Sequence, residues 1–146
     1  MSAKPSEKVA VVGTVDPDAN ATGAFATDWI SMVNYQQVMF VVMAGIIVTT
    51  GTLDFKVQEA KTATGGSAAD LATGTLSITQ MATGDNDEQA VVNVEAEDLS
   101  DQFDFVRGVM TLTTAGADAA VLALGLMPRY GPANDNDLAS VGEITG

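Results

Sequence analysis

Two short acidic segments contain the residue types that could bind a metal ion. Residues 16–20 read Asp-Pro-Asp-Ala-Asn, and residues 85–88 read Asp-Asn-Asp-Glu. Carboxylate and amide oxygens at such spacings are the ligands that Ca²⁺ prefers. The first segment continues with Ala21 and Thr27 at the positions where a calcium loop of the EF-hand type needs glycine and glutamate. We therefore interpret both segments as solvated turns and predict no metal and no cofactor.

Catalytic chemistry has little support in the residue types present. The chain has no histidine and no cysteine, and its lysines are Lys4, Lys8, Lys56 and Lys61. Acid–base and nucleophilic catalysis at neutral pH mostly use histidine, cysteine or an activated lysine. Paired carboxylates can hydrolyse glycosidic bonds, but one Trp and two Tyr offer little aromatic surface for a sugar. We predict that the protein is not an enzyme and that no residue is catalytic.

Aromatic and arginine side chains are the candidates for contact with another protein, because both are enriched at protein interfaces. The aromatic residues could equally lie in the core or at strand ends. Arg107 is mid-strand and in register with Phe105 and Val109, so it pairs with a carboxylate across the sheet or reaches a partner chain. The candidate interface residues are Trp29, Tyr35, Arg107, Arg129 and Tyr130.

The elements that position these residues are predicted to be β-strands. An apolar run from Val38 to Val48 is followed by Thr50-Gly51-Thr52 and then by strict alternation over residues 53–59. A period of two is typical of a half-buried strand, and the short connection predicts an antiparallel hairpin. A helix over residues 68–71 or 117–126 stays open as an alternative.

Further strand patterns are separated by turn-forming residues, and the total is seven or eight strands. This pattern predicts an all-β fold, an antiparallel, jelly-roll-like β-sandwich. We expect an N-terminal arm with a possible first strand over residues 1–22, a sandwich domain over 23–130 and a polar C-terminal tail over 131–146. The additional strand patterns cover residues 9–15, 28–33, 76–80, 92–96, 103–112 and 119–126.

Composition and charge restrict the classes of partner. The chain has 146 residues, of which 47% are hydrophobic, and nineteen acidic against six basic residues give a net charge of −13. Such a charge repels nucleic acid and anionic membranes, and the longest apolar run has about half of the roughly 20 residues that a spanning helix needs. The polar start lacks the features of a secretory signal, so we expect synthesis in a cytoplasm.

Four segments together resemble small structural proteins encoded among the head genes of tailed bacteriophages. They are residues 33–40, 52–60, 105–109 and 129–130, and the resemblance covers about residues 31–130. It implies a virion protein, a capsid decoration or cement protein that is made in the host cytoplasm and binds the capsid exterior. The implied partners are the major capsid protein, whose subunits it would bridge, and copies of itself in a symmetric oligomer such as a trimer. No site motif is carried over.

Two alternative functions remain open at this point. A tail-tube, tail-terminator or head-completion subunit would form rings from similar β-sandwich domains, and copy number per particle separates it from a cement protein. A receptor or carbohydrate binding module belongs to a different class. Glycan binding and an effect of Trp29→Ala on host attachment would support that class.

Overall fold

The computed structural model of the chain describes residues 3–71, 76–133, 136–137 and 139–145. These residues form β-strands and three short 3₁₀ helices, Pro5–Glu7, Thr83–Asp85 and Ala96–Asp98. The strands are β1 (Val9–Asn20), β2 (Gly23–Ala26), β3 (Ile30–Ser31), β4 (Tyr35–Ile47), β5 (Thr52–Ala60), β6 (Ala69–Asp70), β7 (Met81–Ala82), β8 (Gln89–Glu95), β9 (Phe105–Thr113) and β10 (Ala117–Pro128).

The strands form two antiparallel sheets. Sheet A has the order β1-β10-β4-β8, and sheet B has the order β2-β9-β5-β6, with β3 also on β9 and β7 also on β5. If β2 with β3, and β6 with β7, each count as one interrupted strand, the sandwich has two sheets of four strands. The all-β sandwich predicted from the sequence is confirmed.

The strand order is that of a jelly roll. The first strand, β1, pairs with the last, β10. Strands progressively closer to the middle of the sequence then pair with each other: β2 with β9, β4 with β8, and β5 with β6. The chain therefore follows one long antiparallel ribbon that is rolled up, so that consecutive strands mostly alternate between the sheets. Double-sheet jelly rolls of eight strands are built in this way.

Period-two alternation places one face of each central strand in the core between the sheets. Val38, Phe40 and Val42 of β4 are at most 1% exposed. The Phe40 ring lies 5.5 Å from the ring of Phe55 in β5, centroid to centroid. Burial of each such side chain contributes about 1.5–3 kcal/mol relative to exposure, so these facing positions hold the two sheets together.

The predicted hairpin between β4 and β5 is wrong. The two strands lie in opposite sheets, because both carry an apolar face and these faces cover each other across the sandwich. The connection between them arches over the core, with the Gly51 amide donating to the Val48 carbonyl at 2.7 Å and the Val48 amide donating to Gly116 at 3.1 Å. Residues 117–126, for which a helix was an alternative, belong to strand β10.

Strand β1 continues through residues 16–20, which the sequence analysis interpreted as a turn. A shift in its register with β10 between Val15 and Asp18 accommodates Pro17. Proline is tolerated there because β1 is an edge strand and the shift is a bulge-like irregularity. Most of the segment expected to form an N-terminal arm is thus paired with β10, while the domain limits at residues 22 and 130 remain predictions.

The described residues of the C-terminal segment lie along the free edge of β1. The Asp137 amide donates to the Val11 carbonyl at 2.7 Å, and the Val11 amide donates to Asn136 Oδ1 at 3.0 Å. The Ala133 amide donates to the Glu7 carbonyl at 2.8 Å. These bonds satisfy part of an edge that would otherwise be open to pairing with another chain.

Candidate protein interface

The outer face of sheet A is apolar. Its register places Leu124 beside Val11 and Met39, and places Val41 between Leu122 and Val91. Val91 is 54% exposed, and the other members are half-buried and contribute nothing to the core between the sheets. We call this surface the apolar face; it consists of Val9, Val11, Met39, Val41, Met43, Val91, Leu122, Leu124 and Leu126.

The outer face of sheet B is polar and internally hydrogen-bonded. Lys56 Nζ lies 2.9 Å from Asp70 Oδ2, Gln58 donates to Asp70 Oδ1 at 2.9 Å, and Gln80 donates to Asp54 at 2.8 Å. The hydrogen bond from Gln58, and then that from Lys56, lower the pKa of Asp70. This face therefore has the polar character expected of a face in water.

The contrast between the two faces singles out sheet A. An antiparallel sheet with one solvated face normally alternates apolar inward and polar outward residues, and sheet B follows this rule. Strands β4 and β10 of sheet A instead carry apolar side chains on both faces over much of their length. A contiguous apolar surface on the outside of a sheet makes this face a candidate interaction site.

A cavity of about 570 Å³ extends the apolar face at one end of the sheet. Small side chains leave this space open, and at Gly45 an added Cβ would lie 3.2 Å from the Asp118 carbonyl oxygen. We call the cavity the notch. It is lined by Pro17, Asp18, Ala19, Met43, Ala44, Gly45, Asp118, Ala119 and Ala120.

Carboxylates collect at the same end of the sandwich, which we call the acidic end. Strand β1 ends there as β10 begins. Residues 85–88 pack against the end of β4, where the Ala44 amide donates to the Glu88 carbonyl at 2.9 Å and the Ile47 amide donates to Asn86 Oδ1 at 2.9 Å. The carboxylates of the acidic end are those of Asp16, Asp18, Asp85, Asp87, Glu88 and Asp118.

The basic residues lie elsewhere. Lys56 is in the middle of β5, and the other five basic residues are placed towards the opposite end of the sandwich. No group of three or more potential ligand side chains within the described ranges is arranged to hold a metal ion. The acidic end is thus a surface of one charge sign, and Lys4, Lys8, Lys61, Arg107 and Arg129 lie towards the other end.

Two of the predicted interface residues meet beside the outer face of sheet B. The Arg107 guanidinium donates to Gln58 Oε1 from Nε and Nη2 at 3.0 and 2.8 Å and lies 4.5 Å from the ring centroid of Trp29. Its observed partners are therefore an amide and an aromatic ring, whereas the sequence analysis expected a carboxylate or a partner chain. The Trp29 ring also covers Gly65, where an added Cβ would lie 2.7 Å from Nε1.

The other three predicted interface residues lie towards the end opposite the acidic end. Tyr35 is 3% exposed and packs with Ala10 and Ala133, whereas Tyr130 is 74% exposed. Arg129 and Tyr130 line a common cavity of about 350 Å³. The structure brings Trp29 together with Arg107, and Arg129 together with Tyr130, but it does not unite all five residues, and their interface role stays a prediction.

The apolar face was missed by the sequence analysis, although a signal for it was present. Residues 38–48 and 119–126 are apolar at nearly every position, whereas a strand with one solvated face should alternate. We interpreted such runs only as strands, because a run without alternation does not tell which of its two faces meets the core.

Another large cavity is a polar cleft of about 530 Å³ between β1 and β2. Its lining includes Asp16, Asp28 and Asp137, and its aromatic residue is Phe25, which packs partly against the core between the sheets. Among the described residues, no helix has the length and apolar composition required to cross a bilayer.

Comparisons with known proteins show a similar fold without a sequence relative. No protein-family model and no curated protein matches the sequence. A chain in a structure of infectious bursal disease virus, Gt strain, has a TM-score of 0.50 at 7% identity over 86% of this chain, which spans 35% of that chain. At this identity the similarity concerns the fold, and it agrees with the jelly-roll strand order.

Two further structures have lower scores. A chain of Desmodium yellow mottle tymovirus has a TM-score of 0.44 at 11% identity, covering 84% of this chain and 89% of its own length. A D431N mutant of the VP2 protein of infectious bursal disease virus, in derived T=1 particles, has a TM-score of 0.32 at 13% identity, covering 84% of this chain and 40% of that chain.

Proposed function

We propose that the chain is a virion structural protein that acts through protein–protein contact. The observation that carries this proposal is the apolar face on the outside of a two-sheet jelly roll. Jelly rolls serve viral capsids, lectins and cupins. The chain has one Trp and two Tyr, which is little aromatic surface for a sugar site, and the absence of histidine from the sequence argues against the usual metal chemistry of a cupin. The fold shared with a virus-particle chain is compatible with the capsid option.

In finer detail, we propose a capsid decoration or cement protein that lies on the outer surface of the shell and bridges major capsid subunits. A net charge of −13 would be repelled by packaged nucleic acid, so the exterior is the favourable side of the shell. The partners would be the major capsid protein and further copies of this chain, in a symmetric oligomer such as a trimer. Repetition over many copies would multiply a modest contact into substantial stabilisation of the shell.

The experiment that tests the proposed function is a count of copies per particle. Purified virions from the source would be analysed by quantitative mass spectrometry, with the major capsid protein as the internal reference. We expect hundreds of copies per particle, in a fixed ratio to the shell subunits. A few copies, as in one ring at a neck, or a number that scales with tail length would contradict the cement function and support the tail or head-completion alternative.

A further inference from the structure

We propose that the apolar face of sheet A docks onto a shell-protein surface whose apolar centre is framed by lysine or arginine side chains, and that one such side chain enters the notch at the acidic end. This inference rests on the proposed function and adds the face used and the chemistry of its partner. The face, the notch and the acidic end are adjacent, since Met43 belongs to both the face and the notch and Asp18 and Asp118 border the notch.

The size of the apolar face sets how much of the contact must be polar. In this face β4 and β10 each contribute about five residues of length, β1 about three and β8 about one, so at a strand spacing of about 4.8 Å and a rise of about 3.3 Å per residue its area is roughly 200 Å². A stable interface buries about 800 Å² on each partner. More than half of the contact must therefore come from the residues that surround the apolar face, as in interfaces with an apolar core and a polar rim.

The charges of this rim favour a basic partner over a second copy. At the acidic end the rim contains Asp18 and Asp118, and residues 85–88 add three more carboxylates close to the end of β4. All six basic residues lie in described parts of the chain, and none is placed at this end. A second copy would bring another net charge of −13 against the first, whereas lysine or arginine residues would complement the rim.

The notch fits the dual character of a lysine or arginine side chain. Ala120, which is 6% exposed, and its cross-strand neighbour Met43 give it an apolar floor, whereas Ala44 and Ala119, which also line it, belong to the core between the sheets. The two aspartates lie at its border. A lysine or arginine side chain has an apolar stem that packs on such a floor while its charged head stays near carboxylates and water. The carboxylate of Asp18 accepts a bond from the Ala19 amide at 2.7 Å, which fixes its position at the notch.

The test uses shells assembled in the absence of this chain, to which purified full-length protein is added back. Val91→Glu places a charge at the β8 edge of the apolar face, beside Val41, at a position that is 54% exposed in the isolated chain, so folding should be unaffected. Ala24→Glu is the matched control, because it makes the same charge change at an exposed strand position of sheet B. Asp18→Asn combined with Asp118→Asn removes two carboxylates of the rim.

We expect Val91→Glu to weaken shell binding by about a hundredfold, since a buried unpaired charge is costly, and Ala24→Glu to bind as the wild type does. The double Asn variant should bind about tenfold more weakly at low salt and should show a smaller loss of binding when salt is raised. Circular dichroism of each variant checks the fold. In sedimentation experiments at neutral pH, Val91→Glu should leave the oligomeric state of the isolated protein unchanged.

If the wild type binds the shell and Val91→Glu binds equally well, sheet A is not the docking face, and the proposed function stands. If the double Asn variant has the same affinity and salt dependence as the wild type, the proposal that the partner surface is basic is wrong. An oligomer of the isolated protein that Val91→Glu dissociates would identify a second copy as the occupant of the face. Failure of the wild-type protein to bind any shell would contradict the proposed function itself.

Discussion

Glu59, near the C-terminal end of β5, is an acidic residue that is only 2% exposed. Its carboxylate accepts hydrogen bonds from the Ser100 amide at 2.8 Å and from the Ser100 hydroxyl at 2.5 Å. These bonds tie the segment before β9 to the core and compensate for burial of the charge.

We predict that Glu59→Ala lowers the free energy of unfolding by about 1–3 kcal/mol, because two partly buried donors of Ser100 lose their acceptor. Urea denaturation followed by circular dichroism measures this change. Glu97→Ala is the control, since Glu97 is exposed and should change stability by no more than about 0.5 kcal/mol. Equal effects of the two substitutions would show that the Glu59–Ser100 contact does not stabilise the fold.

Gly108 of β9 leaves room for the ring of Phe55 on the neighbouring strand of sheet B. An added Cβ at this position would lie 2.6 Å from two carbons of that ring and 3.1 Å from a ring carbon of Phe40 in sheet A. Gly84, by contrast, has no atom within 4 Å of such a Cβ.

We therefore predict that Gly108→Ala destabilises the protein by about 1–3 kcal/mol through overpacking, whereas Gly84→Ala changes stability by less than about 0.5 kcal/mol. Thermal unfolding of the two variants under identical conditions tests the difference. A melting temperature of Gly108→Ala equal to that of Gly84→Ala would contradict the described packing of Phe55.

At the scale of elements, the edge of β1 depends on residues distant in sequence. Because the Val11 amide donates to the Asn136 side chain in a partly buried contact, we predict that Asn136→Ala speeds hydrogen exchange of that amide by about tenfold. Exchange measured by NMR reports this residue directly. The control Asn93→Ala, at an exposed position of β8, should leave Val11 exchange unchanged, and an unchanged rate in Asn136→Ala would contradict the contact.

The period-two pattern was sufficient to predict the strands but not their pairing. Residues 53–59 alternate clearly, and β5 forms there as expected. The same alternation is equally compatible with pairing to β4 in one sheet and with facing β4 across the core, so the predicted hairpin was wrong. Residues 16–20 illustrate a second limit: a local turn preference yields to hydrogen bonding with β10, which comes from the other end of the chain.

At the scale of the whole molecule, net charge and apolar surface have opposite effects on self-association: charge keeps copies apart, and the apolar face favours contact. The sequence pI is about 4.1, so the net charge that keeps copies apart at neutral pH disappears near pH 4. We predict that light scattering rises as the pH falls towards 4, through association of apolar faces, and that Val91→Asn reduces this rise.

The control for this prediction is Ala24→Asn on sheet B, which should associate as the wild type does. Both substitutions leave the net charge unchanged, so the difference between them reports the face alone. Identical scattering curves for all three proteins would show that the apolar face plays no part in association.

The proposed interaction surface could be predicted from the sequence only in part. Net charge predicts without any structure that nucleic acid and anionic membranes are unfavourable partners, because it is a sum over residues. The apolar face instead forms only when β1, β10, β4 and β8 pair in the observed register. The notch depends on small residues from three strands. Neither is visible until the strand order is known, which is why aromatic residues were predicted as interface anchors and Val91 was not.

The central claim is that this jelly roll is a virion component that contacts the shell through sheet A. A cryo-electron microscopy reconstruction of intact particles, with density assigned to this chain, tests it most directly. We expect the chain on the outside of the shell, with Val91 and Leu124 buried against shell subunits and the Lys56–Asp70 pair of sheet B facing solvent. Density for this chain with sheet A in solvent and sheet B against the shell, or no density for it anywhere in the particle, would contradict the account.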